Sequence, residues 1–151
     1  MRSAPEPAIG TDPGTWCIDL AAPLVPAERL LAFPGYHEQF LWAPSPDDEL
    51  CGVGAAHVLL GSGAARFAEI RDGAGRMYSG LTRLDPEAVG APGPRLLGGF
   101  AFQAGQARSP LWRDFGDARF VLPRIAYARR ARRAWLTLSA TTLELANPAG
   151  G

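Results

Sequence analysis

RFVLPRIAYARRARRAWLTLSATT, residues 119–142, holds two runs of alternating side-chain character separated by a basic turn. Arg119 to Ala128 and Ala134 to Thr142 read as an antiparallel hairpin, with Arg129, Arg130, Ala131, Arg132 and Arg133 as its connection. Strand side chains alternate between faces, so Trp135, Thr137, Ser139 and Thr141 share one face of the last strand, while Leu136 and Leu138 share the other. Upstream, Leu96 to Phe102 is apolar enough for a short buried strand. Tyr36 to Trp42 and Leu50 to Leu60 read as a second hairpin, whose polar tip is APSPDDE. Thr15 to Val25 alternates around Trp16, Ile18 and Leu20, which predicts a first strand.

Helical signals are fewer. Pro26 occupies the first-turn position of a short helix, AERLLAF, that Pro34 and Gly35 stop. ARFAEIRD sets Phe67 and Ile70 three apart with charges between them, and Ser62 stands where an N-cap would. Gly73 and Gly75 are expected to end or bend that helix. Residues 76–95 read as a helix continuing through Met77, Leu81 and Leu84 and then a Pro/Gly loop at 91–94. The pattern as a whole predicts an α+β fold, a mostly antiparallel sheet with a few helices.

With 151 residues the chain has room for one domain. The expected division is a disordered leader over 1–14, a domain over 15–145 and a linker or tail over 146–151. The core is diluted, because 26 alanines stand against 34 Leu, Ile, Val and Phe residues, and 18 Gly with 14 Pro promise many turns. Fifteen basic residues balance fifteen acids, which argues against nucleic acid or an anionic membrane as the organising partner. The N-terminus has no apolar core of a secretory signal, and no uncharged run is long enough to span a bilayer, so a cytoplasmic location is expected. All fifteen basic residues are Arg; lysine is absent, and with it any lysine base, Schiff base or Walker lysine within these residues.

Motifs that carry chemistry elsewhere have plainer readings here. Gly52-Val53-Gly54-Ala55-Ala56-His57 and Gly61-Ser62-Gly63-Ala64-Ala65-Arg66 each miss the third glycine of a dinucleotide fingerprint, although the second could offer backbone N–H groups to a phosphate. Cys17, His37, Cys51 and His57 have zinc-ligand chemistry but not zinc-ligand spacing. No G-x-S-x-G elbow occurs. Asp47, Asp48 and Glu49 read as a solvated hairpin tip rather than a metal site. Arg129, Arg130, Arg132 and Arg133 read as a solvated turn that discourages edge pairing, with no aromatic platform beside it. No catalytic, cofactor-binding or metal-binding residue is assigned.

Three segments, His37–Ile70 (HEQFLWAPSPDDELCGVGAAHVLLGSGAARFAEI), Leu97–Phe102 (LGGFAF) and Ser109–Ile125 (SPLWRDFGDARFVLPRI), together resemble the N-terminal region of isochorismate synthases, members of the chorismate-utilising enzyme family. The resemblance runs in order and spacing from about residue 30 to about residue 140. It implies the N-terminal half of a layered fold with large antiparallel sheets, in which Gly98 and Gly99 permit close backbone approach and Trp112 and Phe115 supply buried loop area. It further implies conversion of chorismate to isochorismate with magnesium, en route to menaquinone or a siderophore. In that family a lysine activates water for attack at C2, a glutamic acid assists loss of the C4 hydroxyl, and other glutamates hold the metal, all in the C-terminal half. The expectation is therefore an N-terminal fragment, inactive alone and with no cofactor of its own, whose partner is the missing chorismate-binding half. The alternatives are a fragment of a salicylate, anthranilate or aminodeoxychorismate synthase, or a stand-alone interaction module on the same scaffold.

Overall fold

The computed structural model describes residues 14–84, 90–105 and 112–146. The leader at 1–13, residues 85–89, residues 106–111 and the NPAGG ending at 147–151 lie outside the described residues. The elements are β1 (Thr15–Ala22), α1 (Glu28–Leu31), β2 (Gln39–Ser45), β3 (Asp48–Val53), β4 (His57–Gly61), a 3₁₀ turn (Gly63–Ala65), α2 (Arg66–Ser79), β5 (Leu81–Leu84), β6 (Leu97–Phe100), β7 (Ala118–Leu122), β8 (Ile125–Arg130), β9 (Arg133–Thr141) and α3 (Thr142–Ala146). They form a six-stranded sheet in the order β2-β3-β8-β9-β1-β5 and a three-stranded sheet in the order β4-β7-β6. Every pairing is antiparallel except β1 with β5, so the class is α+β.

The run expected as one strand over Leu50 to Leu60 is two strands in different sheets, and so is the run over Arg119 to Ala128. The break has a local cause. Pro123 has no N–H for a ladder, and its buried ring packs on Gly52, where a Cβ would come within 2.6 Å of the Pro123 Cγ. Opposite it, Gly54 takes φ +68°, a conformation glycine adopts without a Cβ clash. The ladder resumes at once, with the Ala56 N–H donating to the Leu122 carbonyl at 2.8 Å. A single bent ribbon thus feeds both sheets.

The connections are shorter than expected. The β2–β3 turn is Pro46-Asp47 and the β8–β9 turn is Ala131-Arg132, and the Ala131 N–H donates to the Asp47 carbonyl at 2.6 Å, tying the two tips together. β2 starts at Gln39 rather than Tyr36, and the last strand yields to α3 at Thr142. Glu144 holds α3 in place: its carboxylate accepts from the Thr141 N–H and pairs with Arg124.

Helix α2 passes through Gly73 and Gly75 to Ser79, against the expectation that they would end or bend it. Gly73 is buried on Leu59, and a Cβ there would lie 3.1 Å from the Leu59 Cδ2, so glycine lets α2 pack closely on β4 and that packing holds the helix together. Ser62 makes no side-chain cap; its N–H donates to the Glu69 carboxylate instead. Met77 is the last buried residue of α2, Gly80 caps the helix, and Leu81 to Leu84 form a parallel edge strand beside β1 rather than more helix. Ile70 and Met77 pack α2 on Leu59, Ala118, Ala56 and Leu122 of the smaller sheet.

β6 is an edge strand, not a buried one, and Phe102 beyond it is 94% exposed. Gly98 does allow close approach, since a Cβ there would strike the Arg119 carbonyl; Gly99 has only ordinary contact with Phe115. Trp112 is 61% exposed and meets Phe115 edge-on at 6.2 Å, so it does not supply the buried area expected of it.

On the larger sheet, α1 covers Cys51, Tyr127 and Ala134, and the Tyr127 hydroxyl joins the Val25 N–H to the Pro23 carbonyl. The opposite face carries Cys17, Asp19, Trp135, Thr137 and Ser139, all buried. Loop 90–95 runs over it, with Gly90 against Trp135 and Gly93 against Arg83.

Two stability measurements follow. Trp135→Ala is expected to cost about 3 to 5 kcal/mol in denaturant unfolding, whereas Trp112→Ala costs only about 1 kcal/mol, the value of its ring pairing. Ala131 holds φ +52°, in the left-handed region that a Cβ disfavours. Ala131→Gly should therefore raise the unfolding midpoint, by about 0.5 to 1 kcal/mol once glycine's extra unfolded entropy is subtracted.

Candidate functional site

The second glycine motif lies at the entrance to α2, where sequence reasoning saw room for a phosphate. Two of its backbone donors, those of Ser62 and Gly63, are already taken. Asp117, at the end of the aromatic turn before β7, accepts from the Gly63 N–H and the Gly105 N–H at 2.7 Å each. These two bonds, Gly63's first, hold the Asp117 carboxyl below the usual carboxylate range, with the charge of Arg66 assisting. Glu69 takes the Ser62 N–H at 2.8 Å. At Gly61 a Cβ would sit 2.7 Å from the Arg66 carbonyl, so this glycine serves chain packing. The first motif, around Gly54, leads into β4 and not into a helix. Neither is a dinucleotide site.

A cavity of about 450 Å³ opens beside Asp117, lined by Leu60, Ser62, Glu69, Arg113, Asp114 and Phe115 among others. Its acids outnumber its single arginine. A second cavity of about 350 Å³ shares Asp114 and Phe115 and is bordered by His37, Glu38 and Arg119. Glu38 and Arg119 pair with one another across it.

The most deeply buried charge was not singled out in the sequence. Asp19 is buried on β1, accepts from the Thr137 hydroxyl at 2.5 Å and pairs with Arg83 of β5. The signal was available in the alternation Thr15, Cys17, Asp19, which sets an acid on the same face as two buried residues. Ser139, cross-strand from Cys17, has a buried hydroxyl without a hydrogen-bond partner. With its charge paired, this cluster ties β5 to β1 and β9 and offers no acid–base couple.

Cys17 and Cys51 fall on opposite faces of the larger sheet, both as free buried thiols, while His37 precedes β2 and His57 opens β4. The four side chains do not converge. Burial pushes the Cys51 thiol up to about 11, with Glu28 and Glu49 adding to the effect, and raises the Cys17 thiol as well. Among the described residues no group of three or more His, Cys, Asp or Glu is placed to hold a metal ion. Asp19, Glu38, Glu49 and Glu144 are each paired with an arginine, so these four acids do not fit magnesium.

At the basic tip the four arginines are not equivalent, contrary to a uniformly solvated turn. Arg129 is drawn inward to Glu49 at 2.7 Å and to the Pro46 carbonyl. Arg133 stands 5.7 Å above the Trp135 ring, so an aromatic group does adjoin the tip. The two residues are two apart on one strand and must share a face, which was legible in the alternation. Arg130 and Arg132 are exposed.

Asp48, within the acidic run, opens β3 opposite Arg130, Asp47 forms the turn and accepts the Ala131 N–H through its backbone carbonyl, and Glu49 pairs with Arg129. No helix among the described residues is long and apolar enough to cross a membrane. No curated protein matches the chain. A family model for the chorismate binding enzyme does match, over residues 17–149, which takes in both sheets and all three helices. That extent, on an α+β scaffold of mostly antiparallel strands, shows that the chain belongs to the chorismate-binding enzyme family.

Proposed function

We propose that the chain is the N-terminal part of an isochorismate synthase, a cytoplasmic enzyme that converts chorismate to isochorismate with magnesium, and that it supplies scaffold rather than catalytic groups. The observation that carries this reading is that a member of a chorismate-binding family contains no lysine at all. The lysine that activates water, by the resemblance to isochorismate synthases, must then come from another stretch of polypeptide. The glutamates that hold magnesium come with it in this reading, since Asp19, Glu38 and Glu49 are engaged with arginines and Asp117 with backbone N–H groups.

One surface supports the same reading. Trp16, Ile18, Leu84 and Leu138 share a face of β1, β9 and β5 away from loop 90–95, and Leu20 continues it. Leu20 and Leu84 are exposed, and α1 covers only the other end of this face. A chorismate-binding half laid on these residues would bury them, with about 25 cal/mol gained per Å² of apolar surface removed from water.

The chain alone, given chorismate and magnesium, is expected to show no isochorismate or salicylate by chromatography above a protein-free control. Adding a lysine-containing chorismate-binding half should restore turnover, and Leu20→Asp with Leu84→Asp should abolish that restoration. Turnover by the chain alone would refute the reading. Failure to complement would favour the stand-alone interaction module.

The reading also excludes nucleic acid as a partner. A labelled oligonucleotide titrated at low salt should show no submicromolar binding, and Arg130→Ser with Arg132→Ser should change nothing. Tight binding that weakens with a log–log salt slope of about −0.7 to −0.9 per phosphate would overturn it.

A further inference from the structure

β2 closes one edge of the six-stranded sheet. Edge strands normally carry a charge, an obstructive proline or a covering element, because their unpaired N–H and C=O groups invite another strand. Gln39 to Ser45, QFLWAPS, has no charge, and Leu41 and Trp42 are 45% and 56% exposed on its two faces.

The register tells which groups point outward. The Gly54 N–H donates to the Glu38 carbonyl at 2.9 Å, and the ladder continues with Gln39 opposite Val53, Phe40 opposite Gly52, Leu41 opposite Cys51 and Trp42 opposite Leu50. Hydrogen-bonded pairs alternate along an antiparallel ladder. Glu38, Phe40 and Trp42 therefore turn their backbone groups to β3, and Gln39 and Leu41 turn theirs away from it. Pro44 stands with Ala43 where the β2–β3 register shifts between Trp42 and Ser45, so its missing N–H takes nothing from Gln39 or Leu41.

We propose that the outer edge of β2 pairs antiparallel with β2 of a second copy of this chain, centred on Leu41. In this register Leu41 exchanges hydrogen bonds with the partner's Leu41, and the outward groups of Gln39 face the partner's Ala43, and the reverse. Two six-stranded sheets become one continuous sheet about a two-fold axis.

A second copy fits because the edge is self-complementary, as an isologous interface must be. Neither strand brings a charge, so no like charges meet. Trp42 comes opposite the partner's Phe40 on the face that carries an apolar groove of about 450 Å³, lined by Phe40, Trp42, Leu50, Leu97 and Phe120 with Arg95 at its margin. Each groove thereby receives the other copy's indole, and Arg95 supplies a cation for its π-face. The inference is independent of the isochorismate reading, since it concerns the opposite edge of the sheet from β1 and β5 and needs no turnover.

The test is sedimentation velocity on the full chain at micromolar concentration, with circular dichroism as the check on folding. The wild type should be a dimer. Leu41→Lys and Leu41→Glu should each be folded monomers, because each sets like charges face to face at the two-fold axis. An equimolar mixture of the two should dimerise, which only pairing centred on Leu41 explains. Leu41→Pro, which removes an outward N–H without adding charge and takes no bond from β3, should weaken the dimer by about tenfold or more, and it carries the test where the charged variants do not fold. Leu84→Lys, on the other apolar surface, should leave the dimer intact. A monomeric wild type, a Leu41→Lys variant that still associates, a mixture that stays monomeric, or a dimer lost only with Leu84→Lys would overturn the proposal.

Discussion

The contact between the Pro123 ring and the bare backbone of Gly52 governs the architecture. A Cβ at residue 52 would lie 2.6 Å from the ring, and a residue with an N–H at 123 could continue the ladder without a break. Because neither is present, a ribbon that would otherwise run straight from β3 into β4 and back from β7 into β8 bends. One limb carries α1 and the other carries α2, and the apolar clusters form separately on each. The small aliphatic content of the chain is thus divided between two modest cores, neither large enough to tolerate an open cavity cheaply.

Arginine does much of the remaining work. With no lysine in the chain, the partly buried acids Asp19, Glu38, Glu49 and Glu144 pair with Arg83, Arg119, Arg129 and Arg124, each joining segments far apart in sequence. A guanidinium can satisfy a carboxylate and a backbone carbonyl together, as Arg129 does with Glu49 and Pro46. The acids committed in this way are drawn into the scaffold, whereas Glu69, Asp114 and Asp117 are the acids that face the cavity beside the aromatic turn.

The two faces of the larger sheet invert the usual expectation. Asp19, Thr137 and Ser139 are buried, whereas Leu20 and Leu84 on the reverse side are exposed. The polar side is tolerable because Asp19 has Thr137 and Arg83 as partners, so most of its desolvation is offset. On the reverse side α1 is too short to cover β1 and β5 as well as β3 and β8. A four-residue helix spans only about 6 Å, little more than the spacing between two neighbouring strands.

Extended character and the α+β class were legible in the alternation of residues 15–25, 36–60 and 119–142, because period-two patterning is a local property, but the splitting of Leu50–Leu60 and Arg119–Ala128 between two sheets was not. So were the absence of lysine and the lack of zinc spacing among Cys17, His37, Cys51 and His57. The resemblance to chorismate-utilising enzymes also rested on local strings, and the family match over residues 17–149 agrees with it. What the tertiary structure decided depends on contacts between distant segments. The Pro123 ring is accommodated where the strands split because Gly52 lies beneath it, and α2 packs closely on β4 where Gly73 meets Leu59. Likewise Trp112 is exposed while Trp135 is buried, although both are tryptophans set among arginines in the sequence. Residue type sets what a side chain can do, but the burial that selects among those roles is created by neighbours the local pattern does not contain.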